Sequence, residues 1–251
     1  MSGGNRLDLS LERWQIGRAA HYFAYTDEGA RRVARAGMAK DRISIVKNST
    51  DVRTEAALVA KAREADGDGR QSNTVIVLGS LDSSKRPDLV IEAAALISRD
   101  ISDLRILVVG DGALRGMVEQ AAHESGARFE LFGRLTGAAA AAVAARAALI
   151  LNPGRVGLVA VDSFALGLPI VTCRDQPHAP EFGYLRPEVD CLVVSPDARS
   201  VATAVVGLLR DRSRLAQMQQ AASERAVEFG VEEMAARFAA GIDLVLRRSK
   251  W

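Results

Sequence analysis

The chain has 251 residues, 48% of them apolar and 25% charged, the make-up of a globular protein with room for one large or two small domains. Its 33 Lys and Arg against 31 Asp and Glu leave a formal charge of +2, so nothing in the overall charge points to nucleic acid or an anionic membrane as a partner. No apolar run approaches the roughly 20 residues of a membrane-crossing helix, and Met1 to Asp8 lack the apolar centre of a secretory signal, so a cytoplasmic location is expected. Cys173 and Cys191 are the two cysteines. Each lies in or after an apolar run and they form no metal-ligand pattern, so buried reduced thiols are expected ahead of a disulfide.

Residues 9–20 carry Leu9, Leu11, Trp14 and Ile16 at helical spacing. His21 to Tyr25 reads as a strand. Thr26 or Asp27 then caps a helix to about Arg35, which Gly37 ends. Ile43 to Val46 is a strand leading into Asn48-Ser-Thr-Asp51, a helix covers 53–64, and residues 66–73 form a polar loop that reads as a linker. From Thr74 strands and helices alternate. Strands are expected at 75–78, 104–109, 129–132, 149–151, 170–172 and 191–194. Helices are expected at 88–97, 114–124, 137–146 and 158–166. The strand segments are nearly continuous apolar runs, the pattern of strands buried on both faces. The chain therefore predicts an α/β fold: a Rossmann-like, doubly wound parallel sheet with helices on both faces. Right-handed crossovers place its ligand at the carboxyl ends of the strands. A helical tail follows at 198–210, 215–228 and 231–247. The alanine-rich stretch 138–145 reads as a closely packed helix, and Trp14 and Trp251 as core or interface anchors.

The segment from Asn152 to Thr172 is the most informative. It reads as strand end, glycine turn, helix, glycine and strand. A helix opening at Gly157-Leu158 points bare N–H groups at whatever lies before it, and glycine lets a ligand approach the backbone. That combination suits a phosphate or diphosphate.

Five segments in order resemble retaining glycosyltransferases of the GT-B type, family 4. They are Gly79-Ser-Leu-Asp-Ser-Ser-Lys-Arg-Pro-Asp-Leu-Val-Ile-Glu-Ala93, Leu107-Val-Val-Gly-Asp-Gly112, Phe132-Gly133, the 152–172 stretch and the helical tail. The resemblance implies one half of a GT-B fold. In that division 1–51 is the end of an acceptor domain and 52–73 a linker helix and loop. Residues 74–228 are the nucleotide-sugar-binding domain and 229–251 a C-terminal helix. The rest of the acceptor domain has no counterpart here, so this chain alone is expected to be a weak catalyst, with a separate acceptor-domain chain or self-association as its partner.

The resemblance also implies roles. Lys85, with Arg86 beside it, neutralises the donor diphosphate as it leaves, while Gly79 and Ser80 form the turn before it, Ser80 standing where the family has Arg. The backbone of Gly157, Leu158 and Val159 supports the diphosphate. Gly110 shapes the turn after the second strand of the domain, and Gly133 and Arg134 face the base. Asp162 matches the second acidic position of the family's Glu-x7-Glu motif and accepts the ribose hydroxyls. Gly154 stands at the first acidic position, which in the family contacts the sugar. His178 and Glu181 suggest a metal pair, but two ligands do not make a site, and a loop hydrogen bond is the simpler reading. The expected function is transfer of a sugar, with retention, from a nucleoside-diphosphate sugar without a metal or other cofactor. The alternative is a degenerate, non-catalytic nucleotide-binding or protein-interaction module. No catalytic residue is assigned.

Overall fold

The computed structural model describes residues 14–65 and 73–248, apart from the side chains of residues 123 and 124. The start of the expected first helix, most of the 66–73 loop and Trp251 lie outside the described residues. Contacts divide the chain into two compact units. One runs from Thr50 to Glu228, and the smaller is formed by the segments up to Ser49 and from Phe229 onward.

In the smaller unit residues 14–18 are helical, and β1 (Tyr22–Ala24) pairs in parallel with β2 (Ile43–Ile45). The connecting helix α1 (Asp27–Arg35) starts at Thr26, whose Oγ1 accepts from the Gly29 N–H at 3.1 Å. Ile16, Val33 and Met38 form a small core. Trp14 is exposed and carries the Arg18 guanidinium over its ring at 5.1 Å, which leaves the interface half of the expectation and removes the core half.

The larger unit opens with α2 (Val52–Ala65). Its sheet has six parallel strands in the order β5-β4-β3-β6-β7-β8. These are β3 (Thr74–Leu78), β4 (Arg105–Val109), β5 (Arg128–Gly133), β6 (Leu149–Leu151), β7 (Ile170–Cys173) and β8 (Cys191–Val194). Val75, Ile76, Ile106, Leu107, Leu149, Ile150, Ile170 and Val171 are wholly buried, as the unbroken apolar runs require. The crossovers are α3 (Pro87–Asp100), α4 (Arg115–Glu124), α5 (Gly137–Ala145) and α6 (Val159–Leu166). Strand order grows from β3 toward one edge and from β6 toward the other. Right-handed crossovers therefore put α3 and α6 on opposite faces and open a crevice at the β3/β6 switch.

Two further helices close the unit. The helix α7 (Ala198–Arg210) packs on α3, and α8 (Arg212–Arg225) packs on α6. The helix α8 begins three residues earlier than the apolar pattern suggests, because the Asp211 carboxylate accepts from the Arg214 N–H at 3.0 Å. It ends at Arg225, with Ala226–Glu228 tightening into a 3₁₀ turn. Arg225 meets Asp190, which is fully buried, at 3.1 Å, and lies 4.7 Å from the Phe164 ring centre. The helix read as a linker, α2, packs on α5 and α6 within this unit. The last helix, α9 (Val231–Arg248), belongs to the smaller unit, where Phe238 lies against Phe23 and Arg248 pairs with Asp41 at 2.7 Å.

Both cysteines are free and buried on neighbouring strands. Burial pushes the Cys173 thiol up to about 11 and that of Cys191 to about 12. Since the thiolate is the nucleophile, neither should react with Ellman's reagent at pH 8 in the native protein, and two equivalents should react once it is unfolded. Rapid reaction of a native thiol would contradict this placement. Among the described residues, no helix is long and apolar enough to cross a membrane.

Candidate functional site

The carboxyl ends of β3, β4 and β5 carry glycine turns that lie side by side. The Gly79 N–H donates to Val109 O at 3.0 Å, and the Gly110 N–H donates to Gly133 O at 2.8 Å. Gly110 has φ 153°, and a Cβ there would fall 1.7 Å from Gly79 O, so only glycine lets the turns stack. Above them is a crevice of about 700 Å³. Leu78 to Ser80 and Val109 to Asp111 form its floor, and Arg134 to Gly137 form one wall. Asp162 and Leu166 of α6 and the start of α2, from Thr50 to Leu58, form the rest.

Lys85 ends a 3₁₀ turn (Ser83–Lys85) beside this floor. Asp82 caps the turn: its Oδ1 accepts from the Ser84 N–H at 2.8 Å and its Oδ2 from the Ser80 hydroxyl at 2.6 Å. The hydroxyl of Ser80 is thus engaged by Asp82. The Lys85 ammonium donates to Arg155 O at 2.7 Å, and a Cβ built at Gly79 would meet the Lys85 Cε at 3.4 Å. Burial lowers the Lys85 pKa, while Asp82 and Asp162 work against that shift.

Arg86 behaves differently. It stands in the left-handed region, φ 55°, at the entry to α3, and its guanidinium pairs with Asp88 at 2.8 Å. A cation at a helix N-terminus is mildly unfavourable, and here the neighbouring carboxylate compensates it. Arg86 does not line the crevice.

The loop from Asn152 to Leu158 is fastened on both sides. On one, the Arg155 N–H donates to Ser84 O at 2.7 Å, and Gly154 fits so tightly that a Cβ would lie 2.3 Å from Ser84 O and 2.5 Å from Lys85 Cα. On the other, the Val156 N–H donates to His178 Nδ1 at 3.1 Å and Val156 O accepts from the Ala179 N–H at 2.8 Å. Gly157, Leu158 and Val159 come next. Their N–H groups have no hydrogen-bond partner among the described residues, and Leu158 at the helix N-cap supplies no side-chain acceptor. These amides stand at and just before the helix start, where no carbonyl of a preceding turn is in reach, whereas the next two, of Ala160 and Val161, donate to Gly157 O and Leu158 O.

Asp162 sits deep in the crevice in the first turn of α6. Burial, with Glu55 of α2 adding to it and Lys85 opposing, lifts its pKa to about 7. No residue among those described donates a hydrogen bond to its carboxylate. Burial also raises the Glu55 pKa, with Asp51 contributing. Arg134 lies exposed at the rim.

Of the residues singled out from sequence, Gly79, Ser80, Gly110, Arg134 and Asp162 line one crevice, with Gly133 stacked beneath Gly110 and Lys85 beside Gly79. Gly157, Leu158 and Val159 lie on the loop that Lys85 holds at Arg155, outside the crevice lining itself. Sequence reasoning missed Glu55 and the α2 wall, whose position depends on packing that no local pattern encodes. The loop hydrogen bond expected of His178 is present on both ring nitrogens, to Val156 N–H at 3.1 Å and Cys173 O at 2.9 Å. Among the described residues, no cluster of three or more His, Cys, Asp or Glu is arranged to hold a metal ion.

Solved structures of similar fold cover nearly the whole chain. The Anabaena protein Alr3699/HepE in complex with UDP is 17% identical with a TM-score of 0.73, over 96% of this chain and 68% of that one. Sucrose-phosphate synthase from Thermosynechococcus elongatus is 20% identical with a TM-score of 0.72, over 98% and 63%. A point mutant of S. aureus TarM, in complex with UDP among other ligands, is 12% identical with a TM-score of 0.69, over 97% and 47%. The chain thus spans between about half and two thirds of these proteins, and the larger unit is the Rossmann-like half of a GT-B fold. No curated protein matches it by sequence. The model of glycosyl transferases group 1 matches residues 72–211, more than half of the chain, and the chain belongs to that family.

Proposed function

We propose that the crevice holds the nucleoside diphosphate of a nucleotide sugar, and that the chain is the donor-binding part of a cytoplasmic glycosyltransferase acting with retention. One observation carries this reading. At the switch point of the sheet, a lysine is tied to the loop that leads into three bare amides, and a carboxylate without a hydrogen-bond donor stands in the adjoining crevice. In this arrangement the Asp162 carboxylate accepts the ribose hydroxyls and Arg134 lies against the base. Lys85 and the amides of Gly157, Leu158 and Val159 hold the diphosphate. As the sugar departs, negative charge grows on the diphosphate, and fixed donors there stabilise it without reorganisation. No metal enters this proposal. The acceptor is held elsewhere, by a further domain or a second chain. Two of the similar structures contain UDP, which makes UDP the first ligand to try.

Calorimetry with UDP, GDP and ADP and their glucose conjugates tests this. At least one nucleotide should bind, and Lys85→Ala should weaken it about 10–100-fold, the equivalent of one lost charge-assisted contact at about 1.5–3 kcal/mol. Absence of binding at millimolar ligand would end the proposal. Unchanged affinity in Lys85→Ala would remove the lysine from it.

The close packing of residues 83–85 on Gly154 favours a second reading, a nucleotide-binding module that has lost transfer. On that reading UDP and UDP-glucose bind equally and no sugar is released or moved.

A further inference from the structure

His178 sits where the loop carrying the three bare amides meets the end of β7, and both of its ring nitrogens are in use. Nε2 lies 2.9 Å from Cys173 O. A carbonyl can only accept, so Nε2 carries the proton and Nδ1 the lone pair that takes the Val156 N–H at 3.1 Å. The hydrogen-bond network thus assigns one tautomer of a neutral ring. The ring stacks on Phe182, with centroids 3.9 Å apart and planes 5° from parallel. The next residue, Ala179, donates to Val156 O. Consecutive residues therefore hold both polar groups of Val156, which is fully buried, one residue before Gly157.

We propose that His178 is a positioning residue of the diphosphate site: its neutral ring fixes the Val156 amide and so aims the N–H groups of Gly157, Leu158 and Val159 at the ligand. This rests on the reading of the site given above. A proton on Nδ1 would set donor against donor at Val156 and release the clamp, so phosphate binding is coupled to the charge of this ring. Burial and the Lys85 cation on the facing 3₁₀ turn both favour the neutral form, and the Cys173 carbonyl favours a proton on Nε2. The Cys173 thiol stays neutral, and Glu181 is the acidic group on the ring's own turn.

The test compares wild type, His178→Phe and His178→Asn. Phenylalanine keeps the stack on Phe182 and removes both hydrogen bonds, whereas asparagine restores an acceptor near the Nδ1 position without titrating near neutrality. Two readouts are taken between pH 5.5 and 8: UDP affinity by calorimetry, and hydrogen exchange of the peptide covering 154–160 in the free protein. At pH 8, His178→Phe should bind UDP about tenfold more weakly and exchange this peptide at least tenfold faster, while His178→Asn recovers most of both. On acidification wild type should lose protection in this peptide, and His178→Asn should not. Normal exchange and affinity in His178→Phe, or identical pH profiles in wild type and His178→Asn, would overturn the proposal. Should wild type bind no UDP while the exchange pattern holds, the nucleotide reading fails and the diphosphate role falls with it; the clamp itself would then be the surviving finding. Melting curves of each variant show whether it has folded.

Discussion

Replacing Gly154 by alanine is expected to lower the melting temperature by several degrees and to abolish UDP binding. The reason is space rather than backbone angle, since Gly154 is not among the glycines with positive φ. A Cβ would lie 2.3 Å from Ser84 O, 2.4 Å from the Lys85 carbonyl carbon and 2.5 Å from Lys85 Cα. All three are backbone atoms, so no rotamer change relieves the clash. The opposing turn cannot retreat cheaply, because the Asp82 cap and the Arg155 N–H to Ser84 O bond hold it. Overpacking of this kind costs about 1–3 kcal/mol and occasionally more, at about 2–4 °C per kcal/mol for a unit of this size. Any separation of the two loops also carries the Lys85 ammonium away from Arg155 O. Gly154→Glu, which adds a longer side chain at the same point, is expected to do worse than alanine. Scanning calorimetry and UDP titration decide the matter: a Gly154→Ala protein that melts within about 1 °C of wild type, below the shift that overpacking predicts, and binds UDP equally would show that the two loops separate freely.

Asp162→Asn is expected to stabilise the protein at pH 8, to leave it almost unchanged at pH 4, and to weaken nucleotide binding at least tenfold. The folded carboxyl holds its proton up to about pH 7, against an ordinary value of 3.8. Between those limits the unfolded chain has released a proton that the folded chain still binds, so stability falls as pH rises. The penalty is absent below about pH 4 and complete above about pH 7, and is on the order of 2–4 kcal/mol. Asparagine has no charge to bury and escapes it. The same substitution removes the carboxylate proposed to accept the ribose hydroxyls. Stability gained and binding lost at one position is the trade expected where a site holds strain for its ligand. Melting curves at pH 4, 6 and 8 test the first half and UDP titration the second. A constant difference in melting temperature across pH would show that Asp162 ionises normally.

The architecture was legible because its signals are local. Unbroken apolar runs announce strands buried on both faces, and the turns at Gly79, Gly110 and Gly133 mark their carboxyl ends. A glycine at 167, left-handed at φ 59°, closes α6 where the pattern breaks. Parts of the crevice were less legible because they depend on tertiary approach. Residues 53–64 read correctly as a helix, observed over Val52–Ala65, yet nothing in their spacing says that Glu55 will face Asp162. Arg86 looked like a second phosphate cation, although Asp88 two positions on already supplied its partner. Gly154 reads in sequence as the loss of an acidic group, whereas in the fold the backbone of residues 83–85 occupies the space its side chain would need.

The stretch matched by the family, 72–211, is shorter than the unit that folds, Thr50 to Glu228. This unit, exchanged between proteins by recombination or in the laboratory, must therefore travel with its flanks. A splice at residue 72 discards α2, and with it Glu55 and one wall of the crevice. A splice at 211 discards α8 and strands the buried Asp190 without Arg225, a change of the kind that costs about 3–5 kcal/mol. The functional borders of this module lie outside the borders that sequence similarity draws.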